Sequence, residues 1–293
     1  FVDIDKAVTC SKGIEEKGAA AFFEKGCGIA NPGQTLYGFR YNMTNEDTWE
    51  ETEALIEKAA RIAADCDKVV LLLGEAPIQT GEGASRGDIT IPDVQKKLLD
   101  VVTKANENTA AVIFAGRPLD LREVKEKTKA ILYAWMPGTE GGRAVADILY
   151  GDVNPQGRLS MSMPWCVGQV PVFYGEFSTG RHVEDGEWVE NRFLSRYSDI
   201  PNQPLYPFGY GLSYTDFSYS EVKLDKEEIA MNEPLQISVT VKNTGNSTGT
   251  ETVQLYVTDK VGSAARPVRE LKGFSKVTLK PGEEQEVSFT LSS

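Results

Sequence analysis

The feature that most constrains this 293-residue sequence is an alternation of short apolar runs with amphipathic stretches between residues 47 and 150. Apolar runs of this length predict strands, and apolar residues spaced three and four apart predict helices. The predicted elements are, in chain order, a helix at 47–64, a strand at 68–74, a helix at 92–104, a strand at 110–115, a helix at 121–128, a strand at 130–135 and a helix at 141–150. Strands and helices that alternate at this spacing predict an α/β fold: right-handed βαβ units and a mostly parallel sheet sandwiched by helices.

The first predicted strand, residues 68–74, is an uninterrupted apolar run, which is typical of a strand covered on both faces. A polar loop at residues 75–88 follows it. Loops beyond the C-terminal ends of parallel strands are where such sheets bind ligands. This loop is therefore the first place to look for functional side chains.

The two ends of the chain have a different character. Residues 1–50 are punctuated by Gly and Asn, with one apolar stretch, Ala19 to Phe23, that we interpret as an edge strand. Residues 151–217 form a long irregular connection rich in Pro, Gly and aromatic residues. From residue 218 onward, apolar and polar residues alternate, which predicts a small antiparallel sandwich. We therefore expect two domains, 1–217 and 218–293.

Charge and composition exclude several classes of partner. The net charge is −12, and the acidic residues are scattered along the chain. Nucleic acids and anionic membranes both favour clustered Lys and Arg, so neither is expected as a partner. The apolar runs are too short to span a bilayer. A neutral ligand such as a sugar is compatible with this charge, although the charge does not select one.

Cysteine and histidine usage argues against a metal site, and no cofactor is expected. The four cysteines lie far apart without a CxxC pair, and His182 is the single histidine. Unpaired cysteines favour the cytoplasm. A periplasmic or secreted location stays open, because the chain begins at Phe1 rather than Met and an export signal could lie upstream.

Two glutamates, Glu75 and Glu82, stand on the loop after the first strand. A carboxyl group there can project into a neighbouring cleft and act as a general acid or base. Glycoside hydrolysis requires two such carboxyl groups that flank the scissile bond. By composition alone, most glutamates on polar loops are solvated surface groups.

The sequence around these glutamates resembles a known family. The segments Gly74-Glu75-Ala76, Glu82, Ser85-Arg86 and Asp88-Ile89-Thr90-Ile91-Pro92 are similar to the acid/base loop of periplasmic-type family 3 β-glucosidases of bacteria. Further segments that resemble this family, in the same order, are Gly116-Arg117-Pro118-Leu119, 135–142, Gly151-Asp152, Asn154-Pro155, Gly157-Arg158-Leu159, 205–214, Asn243-Thr244-Gly245, Gln254-Leu255-Tyr256 and Leu271-Lys272-Gly273-Phe274. The resemblance extends from about residue 69 to residue 286.

The resemblance implies a retaining β-glucosidase that acts on β-linked glucosides or oligosaccharides. In this family an N-terminal (β/α)8-type barrel supplies an aspartate nucleophile, an α/β sandwich domain supplies the acid/base, and a fibronectin type III-like domain supports both. Glu82 matches the acid/base position, and Glu75 is its rival. We favour Glu82, because Glu75 directly ends the strand and is better placed for a structural hydrogen bond. Arg86 and Asp88 are expected to support the loop or bind substrate; a surface ion pair is the alternative.

The sequence also departs from the family pattern. The nucleophile motif contains an Asp-Trp pair, and the chain contains none. Residues 218–293 are fewer than the about 100 of a complete sandwich of this kind. We therefore expect a C-terminal fragment with an incomplete sandwich, which needs the missing barrel as its partner and is inactive alone. The alternatives are a non-catalytic carbohydrate-binding or interaction module and, more remotely, a flavodoxin-like cofactor domain.

One aromatic cluster has two interpretations. Tyr206, Phe208, Tyr210 and Tyr214 follow one another closely in the irregular connection. They could form a sugar-stacking platform. They could also form the hydrophobic seam between the two domains, which we favour because aromatic side chains dominate such contacts.

Overall fold

The computed structural model describes residues 6–18, 20–38, 41–178, 180–181, 183, 190–230 and 232–292. The chain forms two compact units, which consist of residues 1–150 with 163–170 and of residues 151–162 with 171–293. The irregular segment 171–217 thus belongs to the second unit. The predicted domain boundary between residues 217 and 218 stays a prediction.

The first unit, which we call the α/β unit, contains the predicted alternation. Its helices are α1 (Cys10–Glu15), α2 (Trp49–Ala64), α3 (Asp93–Ala105), α4 (Arg122–Lys127) and α5 (Gly141–Tyr150). Its strands are β1 (Thr35–Tyr37), β2 (Asn42–Thr44), β3 (Val69–Gly74), β4 (Thr109–Phe114) and β5 (Ala130–Tyr133). Strands β3, β4 and β5 form a parallel sheet in that order. The predicted α/β fold, a parallel sheet flanked by helices, is confirmed.

Helices α2 and α3 have clear start signals. At α2, Thr48 accepts a hydrogen bond from the backbone N–H of Glu51, whose side chain accepts one from the Thr48 N–H in return. This capping box and the acidic first turn stabilise the helix N-terminus. Helix α3 follows Pro92 and buries Gln95, whose amide bonds to both the N–H and the C=O of Gly74 at 2.8 and 3.0 Å. The C-terminal end of β3 is thereby held at α3.

Strand β3 lies at an edge of the sheet and is covered on one face only. Leu71 and Leu73 are buried, whereas Val70 and Leu72 are 36% and 47% exposed. Leu72 pairs in register with Val112 of β4, which packs against α1 and α5. These helices cover β4 and β5 but leave β3 open on that face. The prediction that this strand is covered on both faces is therefore wrong.

A short hairpin precedes α2. Strands β1 and β2 pair antiparallel, and Leu36 and Met43 pack with Ala76 and Ile78, which follow β3. The predicted edge strand at 19–23 is wrong, since the described residues 20–23 lie outside any strand. Phe22 and Phe23 are 76% and 44% exposed, so this apolar run contributes little to the core.

The second unit, which we call the β unit, is an antiparallel sandwich. Its strands are β6 (Phe217–Tyr219), β7 (Lys223–Leu224), β8 (Leu235–Asn243), β9 (Gly249–Val257), β10 (Glu270–Leu279) and β11 (Glu284–Leu291). One sheet has the order β11-β8-β6, with β7 also paired to β8, and β9 pairs with β10 in the other. Its buried core consists of Val241, Val253, Val277, Leu279 and Val287. The predicted all-β sandwich is confirmed.

A buried asparagine fixes one turn of this sandwich. Asn243 ends β8 fully buried, and its amide donates hydrogen bonds to the carbonyls of Ser247 and Leu279 at 2.8 and 2.9 Å. Its Oδ1 accepts from the hydroxyl of Thr215 at 2.7 Å. These bonds satisfy a polar group that would otherwise be costly to bury.

Within the described part of the chain, the helices are too short or too polar to cross a membrane.

Candidate functional site

The candidate loop begins where β3 meets the end of β4. Gly74 has a φ of +140°, and a Cβ there would lie 1.9 Å from the carbonyl oxygen of Phe114. The next residue, Glu75, donates its backbone N–H to the same oxygen at 2.8 Å. Glycine is required at this position because the strand ends approach too closely for any side chain. The side chain of Glu75, directly after this close approach, lies in the interior.

Glu75 is a buried carboxylate between two arginines. Its side chain is 1% exposed, and its Oε1 lies 2.6 Å from Arg86 Nη1 and 2.9 Å from Arg117 Nε. The Arg86 contact is a hydrogen bond, whereas the Nε–H of Arg117 is not aligned with the oxygen. Among the described residues, Glu75 Oε2 has no hydrogen-bond partner. The negative charge is therefore stabilised mainly by the two guanidinium groups.

The same two arginines hold the backbone of the loop. Arg117 Nη2 donates to the carbonyls of Gln79 and Ala84, the latter at 2.6 Å. Arg86 Nη2 donates to the carbonyl of Thr90 at 3.0 Å. Five donors in a rigid fork allow one guanidinium to bridge several acceptors in this way. The Glu75–Arg86–Arg117 cluster therefore fixes the loop on both sides of residues 80–83.

Glu82 lies at the exposed tip of this loop, between Gly81 and Gly83. Both glycines have positive φ angles, +103° and +72°, and a Cβ on either would meet nothing within 4 Å. Among the described residues, the Glu82 carboxylate forms no hydrogen bond or ion pair. Its side chain is thus available for a ligand that approaches this edge of the sheet.

Asp88 makes a local turn. Its Oδ1 accepts the backbone N–H of Thr90 at 2.8 Å, and this hydrogen bond lowers the pKa of the Asp88 carboxyl below its ordinary value. Arg86 is committed to Glu75 and to the loop backbone rather than to an ion pair with Asp88. Both residues bond within the loop, and a contact of either with substrate stays a prediction.

Two residues that support the loop carry no predicted role. Arg117 comes from the segment after β4, and its backbone carbonyl accepts a hydrogen bond from the hydroxyl of Tyr133 at the end of β5. Burial raises the pKa of Tyr133, which keeps the phenol protonated as a donor. The sequence contained one indication of the role of Arg117, which is its position. An arginine shortly after the neighbouring parallel strand lies at the same sheet edge as Glu75.

Metal ligands are not assembled at this loop. No group of three or more His, Cys, Asp or Glu side chains in the described ranges could hold an ion. The cysteines are unpaired, and His182 lies outside the described residues.

Comparison with known proteins identifies both units. Residues 2–214 match the glycosyl hydrolase family 3 C-terminal domain, and residues 251–293 match a fibronectin type III-like domain. A periplasmic β-glucosidase of Salmonella typhimurium is 40% identical over 291 residues, which cover 98% of this chain and 38% of that protein. A β-xylosidase of Formosa agariphila is 43% identical over 234 residues, which cover 80% of this chain and 31% of that protein.

Solved structures agree with these matches. A mutant β-glucosidase from Listeria innocua in complex with laminaribiose aligns with a TM-score of 0.83 at 35% identity, covering 98% of this chain and 37% of that one. A β-glucosidase from Erythrobacter marinus aligns with the same TM-score at 34% identity, covering 100% of this chain and 38% of that one. The chain therefore spans less than two fifths of the length of these relatives. On the extent of these matches, the chain belongs to glycoside hydrolase family 3.

Proposed function

We propose that this chain supplies the general acid/base of a retaining β-glucosidase, and that Glu82 is that residue. The observation that carries the proposal is the difference in access between the two glutamates of the loop. Glu82 is exposed at a tip flanked by glycines, whereas the Glu75 side chain is 1% exposed and paired with two arginines. A general acid must come within hydrogen-bond reach of the oxygen that it protonates, and only Glu82 has that access.

In the proposed reaction Glu82 acts twice. It first protonates the departing glycosidic oxygen while an aspartate of the barrel attacks the anomeric carbon. It then removes a proton from the water that resolves the covalent intermediate. The two carboxyl groups of such enzymes lie about 5–5.5 Å apart, on either side of the scissile bond. A loop tip that projects beyond the sheet suits this arrangement, in which the nucleophile comes from another domain.

The cluster below the tip limits where Glu82 can go. Arg117 binds the carbonyls of Gln79 and Ala84, so the loop is anchored three residues before Glu82 and two after it. Productive geometry in active sites requires a catalytic group to be held to within a fraction of an ångström by such supporting contacts. Glu75, Arg86 and Arg117 are positioning residues in this proposal.

The proposed substrate is a terminal, non-reducing β-D-glucosyl residue. Several similar proteins are β-glucosidases, and one of the aligned structures contains laminaribiose. Another relative is a β-xylosidase, so a β-xyloside is the comparison substrate for any assay. The proposed partner of the chain is the barrel domain that carries the nucleophile.

The test is Glu82→Ala in the longer enzyme that contains the barrel. Hydrolysis of laminaribiose should fall by about 10²–10⁴-fold, the usual contribution of general acid–base catalysis, because a sugar leaving group needs protonation. Aryl β-glucosides with activated leaving groups should still form the intermediate and then accumulate it, since water needs a general base. Azide needs no deprotonation, so it should restore turnover and yield a β-glucosyl azide.

Glu107→Ala is the matched control, because Glu107 is an exposed glutamate of the same unit whose side chain is 90% exposed. Its activity should equal that of the unmodified enzyme. Full activity of Glu82→Ala, together with azide-rescued turnover in Glu75→Ala, would show that the other glutamate is the acid/base.

A further inference from the structure

The β unit contains a cavity that is separate from the acid/base loop. Its volume is about 420 Å³, and it lies between strand β9 and the segment 203–210. Thr252, Gln254 and Tyr256 line it from β9, while Val253 between them belongs to the sandwich core. Alternate residues of a strand point to opposite faces, so this cavity lies on the outer face of β9.

Aromatic rings form one wall of the cavity. Tyr174 stacks on Phe208 with ring centroids 4.2 Å apart and an interplanar angle of 18°. Tyr256 meets Tyr174 edge to face at 6.1 Å. Three rings that hold one another in this way present a rigid apolar surface at little cost in conformational entropy.

Polar groups beside this wall are oriented in advance. The hydroxyl of Tyr256 donates to Gln254 Oε1 at 2.6 Å, and Gln254 Nε2 donates to the carbonyl of Gly209 at 3.0 Å. Gly209 has a φ of +80°, and a Cβ there would lie 2.2 Å from Gln254 Oε1. The glycine thus allows the amide to sit against the backbone. One amide hydrogen of Gln254 can still be donated to a ligand, and the lone pairs of the Tyr256 oxygen can still accept a hydrogen bond from one.

Thr252 adds an unsatisfied group to the same lining. Its side chain is 8% exposed, and its Oγ1 has no hydrogen-bond partner among the described residues. A buried hydroxyl without a partner is unfavourable, and such atoms in native proteins usually have an explanation in function or in an unrecorded partner. This oxygen is nearly inaccessible in the free chain, so a ligand hydroxyl would satisfy it after a small side-chain shift that opens it to the cavity.

The charges at the cavity are balanced. Its lining carries one carboxylate, Glu251, and one guanidinium, Arg269. Glu251 also pairs with Arg158 at 2.6 Å and accepts the hydroxyl of Tyr219 at 2.9 Å. Arg269 Nε donates to the carbonyl of Tyr174 at 3.4 Å. With neither sign in clear excess, the lining favours a neutral ligand over a phosphate or a carboxylate.

We infer that this cavity is a second sugar-binding site, for a neutral mono- or disaccharide. The apolar C–H face of a pyranose would pack against the aromatic wall, and its hydroxyls would bond to Thr252, Gln254 and Tyr256. The volume falls within the about 300–1,000 Å³ of typical small-molecule sites. The inference does not depend on the role of Glu82.

The test uses the 293-residue chain and isothermal titration calorimetry with laminaribiose. The chain should bind saturably, and Thr252→Val should weaken affinity about three- to tenfold, because it removes one hydroxyl hydrogen bond and keeps the side-chain shape. Tyr256→Phe should weaken binding similarly, since it also releases Gln254. Glu107→Ala, an exposed change in the α/β unit, should leave this binding unchanged.

Thr278→Val on β10 is the matched control. Its hydroxyl bonds to that of Thr250 at 2.8 Å on the same sheet, and it does not line the cavity. It should retain full affinity, and urea titration should show that Thr252→Val is no less stable than the parent chain. The inference is wrong if a folded chain binds no laminaribiose, or if Thr252→Val binds it with unchanged affinity. Tighter binding of glucose 6-phosphate than of laminaribiose would overturn the choice of a neutral ligand.

Discussion

Glu75→Ala should destabilise the α/β unit by about 2–4 kcal/mol. Removing one partner of a buried ion pair typically costs about 3–5 kcal/mol, because the remaining charge is left without compensation. Here two guanidinium groups would be left, Arg86 and Arg117, whose side chains are 18% and 19% exposed. Water can reach them in part, so we place the expected cost below the upper end of that range.

Urea unfolding followed by tryptophan fluorescence measures this cost. Three of the four tryptophans, Trp49, Trp135 and Trp165, lie in the α/β unit, so the signal reports mainly on it. With an m-value of about 2 kcal/mol/M, the expected loss lowers the midpoint by about 1–2 M urea. Glu75→Gln keeps the volume and one acceptor and should lose less.

Glu82→Ala is the control for this measurement, because it removes an exposed carboxylate that has no partner among the residues the structure describes. Its stability should stay within about 0.5 kcal/mol of the parent chain, as for most surface substitutions. If Glu75→Ala is as stable as Glu82→Ala, then the buried cluster does not hold the loop and the positioning argument fails.

Four further predictions follow from the structure. Asp88→Ala should be less stable than the parent chain at pH 7. Because the pKa of Asp88 is lowered in the folded chain, its carboxylate stabilises the fold above the ordinary pKa of 3.8, and this stabilisation is lost on acidification. The difference in stability between variant and parent should therefore narrow as the pH falls below about 4, which urea midpoints measured across pH test. Burial raises the pKa of Cys27 to about 11, so at pH 8 iodoacetamide should alkylate it about tenfold more slowly in the native than in the unfolded chain, measured by mass spectrometry. The exposed face of β3 at Val70 and Leu72 should drive self-association, which Leu72→Lys should reduce in light scattering; a monodisperse parent chain would contradict this. The chain alone should release no nitrophenol from aryl β-glucosides, because it lacks the Asp-Trp nucleophile motif.

The alternation of apolar runs was sufficient to predict the parallel sheet, because β4 is buried and β5 is partly buried by helices, of which the pattern reveals α5 but not α1. The same pattern gave a wrong prediction for β3, one face of which is exposed. A continuous apolar run does not show whether another element of the chain packs on both faces of the strand. The hairpin β1–β2 was missed because each strand has three residues and is stabilised by contacts with Ala76 and Ile78, more than 30 residues later.

For the candidate site, the sequence alone selected the loop and named Arg86 as a support, but it did not point to Arg117. Glu75 was expected to have a structural role, and the structure shows it paired with two arginines. Arg117 could not be found by local pattern, because its contact with the loop arises from the alignment of two parallel strand ends. The assignment of Glu82 as the acid/base stays a prediction.

The bridging of Gln79 and Ala84 by Arg117 separates the loop into a fixed base and an independent tip. The base is determined by β4, whereas the tip has open space around Gly81 and Gly83. Both glycines have positive φ angles, which residues with side chains rarely adopt, so substitution of either should strain the tip in spite of that space. Glu82 between them can be exchanged without repacking the sheet.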